Sequence, residues 1–304
     1  MQFLVKSGQP QSQKSDCAIV PWFDSGKLPA NLNALDKASG NLVRDAARRG
    51  DLSSKIGSTT LLASNGAGPC KRVLVAGCGK QGDFDRKAYT KVTGIAATAL
   101  MRTGAKDAIS YLATEKLQAE KQHAGLTLAL DTTTAVEQAI YRFDTMKSKE
   151  QRKKPPPFKR LSIAVSKSTL KTAVSKSLPQ AQAVAEGARL ARDLGNMPSN
   201  LCTPRYLAST AKKIAARSKK ASAKILTPVE MKRLGMGALL SVTAGATEPA
   251  RLIVIQYRGG KPKSKPTVMV GKGITFDTGG ISLKPGAAMD EMKFDMCGAA
   301  GVLG

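Results

Sequence analysis

The chain has 304 residues, 42% of them hydrophobic, with 28 Gly and 15 Pro. That is a length for two domains of about 150 residues each and a composition that excludes a disordered or collagenous polymer. Lys and Arg outnumber Asp and Glu by 48 to 22, a formal charge of +26, and aromatics are 4%.

Membranes and disulfides are set aside next. No apolar run reaches the roughly 18 residues of a membrane-spanning helix, and residues 1–14 lack the apolar core of a leader segment. Five cysteines without a CxxC pair read as reduced thiols in a cytoplasmic protein.

In chain order, Arg72–Ala76 is a short apolar run suited to a buried strand, followed by Gly77, Cys78, Gly79 and Gly82. A helical pattern from Asp85 to Arg102 places Tyr89, Val92, Ala96 and Leu100 on one face. The Gly-x-Gly-x-x-Gly between them has the context of a dinucleotide fingerprint. It lacks the acidic residue about 20 positions on, since Glu115 comes later, and Asp83 and Asp85 would repel a pyrophosphate. It therefore reads as a structural turn. Ala108–Ala113 reads as the next strand and Thr134–Met146 as the next helix, an α/β succession. The only histidine, His123, lies between them in a polar segment and reads as a solvated loop residue. A His-rich zinc site is excluded on that count, so any metal must be held by carboxylates and other oxygen or amine groups.

Residues 147–176 carry ten Lys or Arg against Glu150 alone and include Pro155, Pro156 and Pro157. Prolines break helices, and the stretch reads as the exposed end of a first domain. A long helix over Gln180–Leu194 is closed by Gly195 and Pro198. Thr203 and Pro204 supply an N-cap and a first-turn proline for a helix to Arg217. Ala223–Leu226, Ala238–Val242, Leu252–Tyr257 and Thr267–Val270 then read as strands of a second α/β domain. The expected organisation is an α/β domain over residues 1–165, a linker and connecting helix over 166–196, and a second domain over 197–304.

The chemistry concentrates in residues 268–304, VMVGKGITFDTGGISLKPGAAMDEMKFDMCGAAGVLG. An apolar run leads into Gly271, Lys272 and Gly273, then Asp277, Gly279, Gly280 and Lys284. Glycines let the backbone turn sharply and approach a ligand, and α/β sheets place their sites at strand ends. Asp290 and Glu291 open a helical stretch, where negative charge offsets the helix dipole. Asp295 lies deeper in that stretch and is not explained as a cap. Taken singly, the lysines fit a solvated surface and Asp277 a turn.

Taken together, the string resembles the signature region of the leucyl aminopeptidases, the cytosolic metallopeptidase family. RLARDLGNMPSNLCTPRYLA (189–208) resembles the start of that family's catalytic domain, and MQFLVKSG and RVLVAGCGK resemble the N-terminal domain of its bacterial members. The resemblance implies a macro-like α/β domain followed by an incomplete α/β/α metallo-aminopeptidase domain with a mixed sheet. It implies Lys272, Asp277 and Asp295 as ligands of two divalent ions, Mn²⁺ or Zn²⁺, with Asp277 contacting both. Lys272 would bind as the neutral amine, against an ordinary value of about 10.4. Lys284 is implied as the catalytic lysine that polarises the scissile carbonyl, and Met292 as a residue lining the pocket for the first side chain. The implied activity is release of N-terminal residues, leucine preferred, from peptides by a homohexamer, with the metals activating water.

The family's second acidic string, Asn-Thr-Asp-Ala-Glu-Gly-Arg, supplies further ligands and the arginine that positions a bicarbonate base. It does not occur in these residues. One ion keeps Lys272, Asp277 and Asp295 and the other keeps Asp277 alone, so the expectation is a fragment, inactive as it stands. The alternative role is DNA binding through the basic stretches at 147–176 and Lys212–Lys224, where phosphate contacts would release counterions.

Overall fold

The computed structural model describes the chain apart from residues 65, 67, 118–124 and 153, so His123 and Lys153 lie outside the described residues. The chain divides into two compact units, 1–185 and 186–304.

The first unit is built on six strands: β1 (Gln2–Lys6), β2 (Ser15–Phe23), β3 (Thr59–Ala63), β4 (Cys70–Gly79), β5 (Asp107–Ser110) and β6 (Arg160–Ala164). Their order is β1-β6-β5-β2-β4-β3. All neighbours run parallel except β3 and β4. Parallel strands covered on both faces read as continuous apolar runs, and β2 is buried from Cys17 to Phe23. Successive side chains alternate faces. Cys17, Ile19 and Phe23 join one core with Tyr89, Val92, Leu128 and Val136. Ala18, Val20 and Trp22 join another with Leu35 and Val43. The first layer is α3 (Arg86–Leu100) and α4 (Gly125–Ile140); the second is α1 (Asn33–Ala38) and α2 (Leu42–Arg48). Arg86 donates to Asp131 at 2.8 Å and the Tyr89 hydroxyl pairs with Thr132 at 2.6 Å, tying α3 to α4.

Asp85 caps α3, accepting from the Ala88 N–H at 2.8 Å. The helix expected at Thr134–Met146 starts earlier, at Gly125, and ends at Ile140. A Cβ on Gly125 would lie 2.6 Å from Ala173, so the glycine marks a close helix approach and not a loop. Beyond Ile140, Asp144 takes both Arg142 and Lys147 as partners, which holds the chain in a turn. Further along the basic stretch, Phe158 is buried. The long helix α5 (Ser168–Asn196) begins within the segment expected to be a linker and carries Pro179 inside it.

The second unit holds α6 (Pro204–Ala215), β7 (Ala221–Leu226), α7 (Pro228–Arg233), α8 (Gly237–Ser241), β8 (Leu252–Tyr257) and α9 (Cys297–Leu303). Thr203 caps α6 as expected, and a capping box between Thr227 and Glu230 starts α7. β7 and β8 pair antiparallel. Two strand expectations are corrected. Ala238–Val242 is mostly helix α8; a short apolar run has no period that separates the two states. Thr267–Val270 forms no regular element and has no ladder partner among the described residues, and a strand needs a hydrogen-bonded neighbour. Val268, Met269 and Val270 are consequently 75, 71 and 90% exposed. A chain of these 304 residues should therefore bind a hydrophobic dye strongly, as large exposed apolar patches do. Fluorescence no greater than that of a fully packed globular control would contradict this.

The thiols follow burial. Cys17 and Cys78 are pushed up to about 12 and Cys70 and Cys202 to about 11, in each case chiefly by desolvation. Cys297 alone is exposed. Since the thiolate is the reactive form, a chromogenic disulfide reagent at neutral pH should titrate one thiol in the native chain and all five in denaturant. Rapid reaction of two or more native thiols would refute that burial pattern.

Candidate active site

The expected glycine turn is instead the end of strand β4, which includes Gly77 and Gly79, and the backbone there is closed to a phosphate. Gly77 N–H donates to Ser58 O at 2.9 Å and Gly79 N–H to Ser54 O at 2.7 Å, so residues 53–58 lie against the turn. A Cβ on Gly77 would stand 2.3 Å from Lys55 O, and Gly79 adopts φ +75°. These glycines serve backbone packing.

The residues singled out in 268–304 do come together, in two ion pairs. Lys272 Nζ lies 2.9 Å from Asp295 Oδ1, and Lys284 Nζ lies 3.4 Å from Asp277 Oδ2. Lys272 follows the apolar run, whose end is pressed onto the start of α9. Ala299 N–H donates to Lys272 O at 2.7 Å, and a Cβ on Gly271 would meet Gly298 O at 2.4 Å. Gly298 is equally tight, 2.9 Å from Lys272 N. Glycines at 271 and 298 thus bring Lys272 to the end of the helical stretch that carries Asp295. The glycine density of the string signalled a close approach. The approach is between two segments of the site itself.

Asp277 sits in the following loop, where its Oδ1 accepts the Gly279 N–H at 2.9 Å. Gly279 and Gly280 take φ +92° and +71°, a region that disfavours side chains. The turn is closed by Lys284 N–H donating to Thr278 O at 2.9 Å, which sets Lys284 beside Asp277. Met292 is half-buried on the 3-10 stretch Met289–Met296.

The electrostatics are those of paired charges. The Gly279 N–H, then the lysines, hold the Asp277 carboxyl below its ordinary value. Its contact with Asp295 holds the Lys272 ammonium above its own. Lys272 is thus charged in this arrangement, and binding a metal through its nitrogen requires that proton to leave. Asp295 is the least exposed of the four, and its Oδ2 is buried without a hydrogen-bond partner. A buried bare carboxylate oxygen is costly unless a cation meets it. With one amine and two carboxylates, the donor set fits a divalent ion. Among the described residues no cluster of three or more His, Cys, Asp or Glu is assembled. The lysine nitrogen is therefore needed to complete even one set.

Both units of the chain have counterparts among known proteins. Residues 189–304 match the model of the cytosol aminopeptidase family catalytic domain, and residues 19–150 match that family's N-terminal domain. The chain belongs to the cytosol aminopeptidase family. It is 44% identical over 304 residues to a probable cytosol aminopeptidase of Thioalkalivibrio sulfidiphilus, covering 100% of this chain and 60% of the relative. It is 40% identical to a cytosol aminopeptidase of Pseudomonas aeruginosa, with the same coverage. The chain thus spans about 60% of the length of these relatives. Among solved structures, a mutant of tomato leucine aminopeptidase superposes with a TM-score of 0.76 at 26% identity, over 100% of this chain and 58% of that one. The bottromycin maturation enzyme BotP, in a complex with Mn, shares the fold with a TM-score of 0.69 at 24% identity, over 95% of this chain and 55% of its own.

Proposed function

We propose that these residues form the first part of a metal-dependent aminopeptidase that releases N-terminal amino acids, leucine preferred, from peptides. The observation that carries the reading is the bare, buried Oδ2 of Asp295 beside Lys272, with Asp277 on the adjoining loop. Lys272, Asp277 and Asp295 would hold one divalent ion, Mn²⁺ or Zn²⁺, and Asp277 would reach toward a second. When bound, such ions supply Lewis acidity and a water nucleophile at neutral pH. The chain's own part is to place and to charge. Lys284, held near Asp277, presents a fixed positive charge for the developing oxyanion. Met292 would face the substrate's first side chain. Bicarbonate as base, a hexamer and a cytoplasmic location follow from the family and belong to the same proposal.

The basic segment favours no second reading. Lys147 is engaged by Asp144, just before the segment, and Arg152 donates to Lys147 O at 3.0 Å, so part of its basic surface is already committed to the chain itself.

The test is hydrolysis of L-leucine p-nitroanilide with added Mn²⁺. A protein of the relatives' full length should turn it over, lose activity to a chelator and leave the N-acetylated substrate intact. The 304-residue polypeptide by itself should not turn it over, because a single carboxylate does not make a stable site for the second ion. Turnover that persists in chelator would overturn the metal reading.

A further inference from the structure

The carboxyl end of β2 opens, on the side of α1 and α2, into a cavity of about 290 Å³. Its walls combine an aromatic ring and aliphatic groups, Trp22, Leu28 and Ala47, with charges of both signs, Asp36, Arg44 and Lys27. Strand alternation sends Trp22 to this side and Phe23 to the other. Ligands of open α/β sheets bind outside the carboxyl ends of strands, where this cavity lies.

Asp36 is the unusual member. It is only 3% exposed, and its Oδ1 accepts the Val43 N–H at 2.8 Å in the first turn of α2. Its other oxygen makes no hydrogen bond among the described residues and is not sealed off from solvent. A carboxylate so deeply set calls for a donor or a positive charge. Arg44 is exposed, with one long contact of 3.5 Å to Asn41 Oδ1, and Lys27 is exposed beside it on the rim. A ligand that satisfies these walls presents a cation inward, an anion to the rim and an apolar group to the ring. The volume is at the lower end for small-molecule sites, too small for a dinucleotide.

We infer that this cavity binds a free apolar L-amino acid as its zwitterion, with the ammonium on Asp36, the carboxylate on Arg44 and Lys27, and the side chain against Trp22, Leu28 and Ala47. The site is built from residues 22–47 alone and is independent of the aminopeptidase reading.

Trp22 is the only tryptophan of the chain, so its emission reports occupancy. Titration of the 304-residue chain with L-leucine should give a saturable change at roughly millimolar concentration. N-acetyl-L-leucine, lacking the ammonium, and L-leucinamide, lacking the carboxylate, should each bind about tenfold or more weakly, since each leaves a wall charge unpaired. Arg44→Gln, a surface change, should weaken leucine and leave leucinamide unaffected. Asp36→Asn should weaken leucine and leucinamide alike. Lys272→Ala should bind leucine as the parent does, which separates this cavity from the site in residues 268–304. No saturable change with leucine, or equal affinity for the three ligands, would overturn the assignment. The three-ligand comparison uses the unmodified chain and decides the matter even where Asp36→Asn fails to fold.

Discussion

Replacing Lys284 with Met in a protein of the relatives' full length is expected to lower kcat on an N-terminal leucyl substrate by about 10²–10³-fold, with KM little changed. Methionine keeps the unbranched stem and removes only the charge. The loop should survive the change, because it is fixed by the backbone bond from Lys284 N–H to Thr278 O and by the positive φ of Gly279 and Gly280. The Asp277 carboxylate, however, loses the ammonium 3.4 Å away and keeps the Gly279 N–H, the largest influence on its pKa. An interaction made mainly in the transition state lowers kcat and kcat/KM together. A fall of less than about tenfold, or one confined to KM, would remove Lys284 from the carbonyl-polarising role.

Gly77→Ala is expected to destabilise the first unit by about 3 kcal/mol, the upper range for overpacking a filled interior. The added methyl would meet Ser58 Oγ at 2.2 Å, Lys55 O at 2.3 Å and Ser53 O at 2.7 Å. Two of those three are backbone carbonyls, which cannot swing aside. Gly82→Ala, in the same glycine string, meets nothing within 4 Å and should change stability by no more than about 0.5 kcal/mol. Thermal unfolding of the two variants decides between a packing role and a ligand-binding one. Equal, small effects would reopen the fingerprint reading of this turn.

The parts of the fold legible in the sequence were those with a local cause. The strand, its glycine end and the capped helix over residues 70–100 follow from an apolar run, the positive φ of Gly79 and the Asp85 cap, and α6 follows from Thr203 and Pro204. What escaped depended on neighbours distant in sequence. Ala238–Val242 carries no period to mark it as helix, and Thr267–Val270 has the composition of a strand without a described partner. The residues of the candidate site were legible as a string, while their pairing was not. No spacing rule says that Lys272 meets Asp295 or that Gly271 and Gly298 must both be bare for it to do so. The Trp22 cavity was equally hidden, since it joins a strand end to two short helices through one buried carboxylate.

The two lysine–aspartate pairs bear on the order in which such a centre is assembled. Each carboxylate of the site already has an ammonium at hand, Lys272 for Asp295 and Lys284 for Asp277. The acidic side chains therefore enter the folded state neutralised, without the mutual repulsion that would make folding wait for an ion. Were Lys272 and Asp295 to hold a divalent ion as proposed, its binding would be a substitution: Lys272 would release a proton to solvent, and the Oδ2 of Asp295 is already without a hydrogen-bond partner. Polypeptide made in metal-poor medium should accordingly fold first and be loaded afterwards.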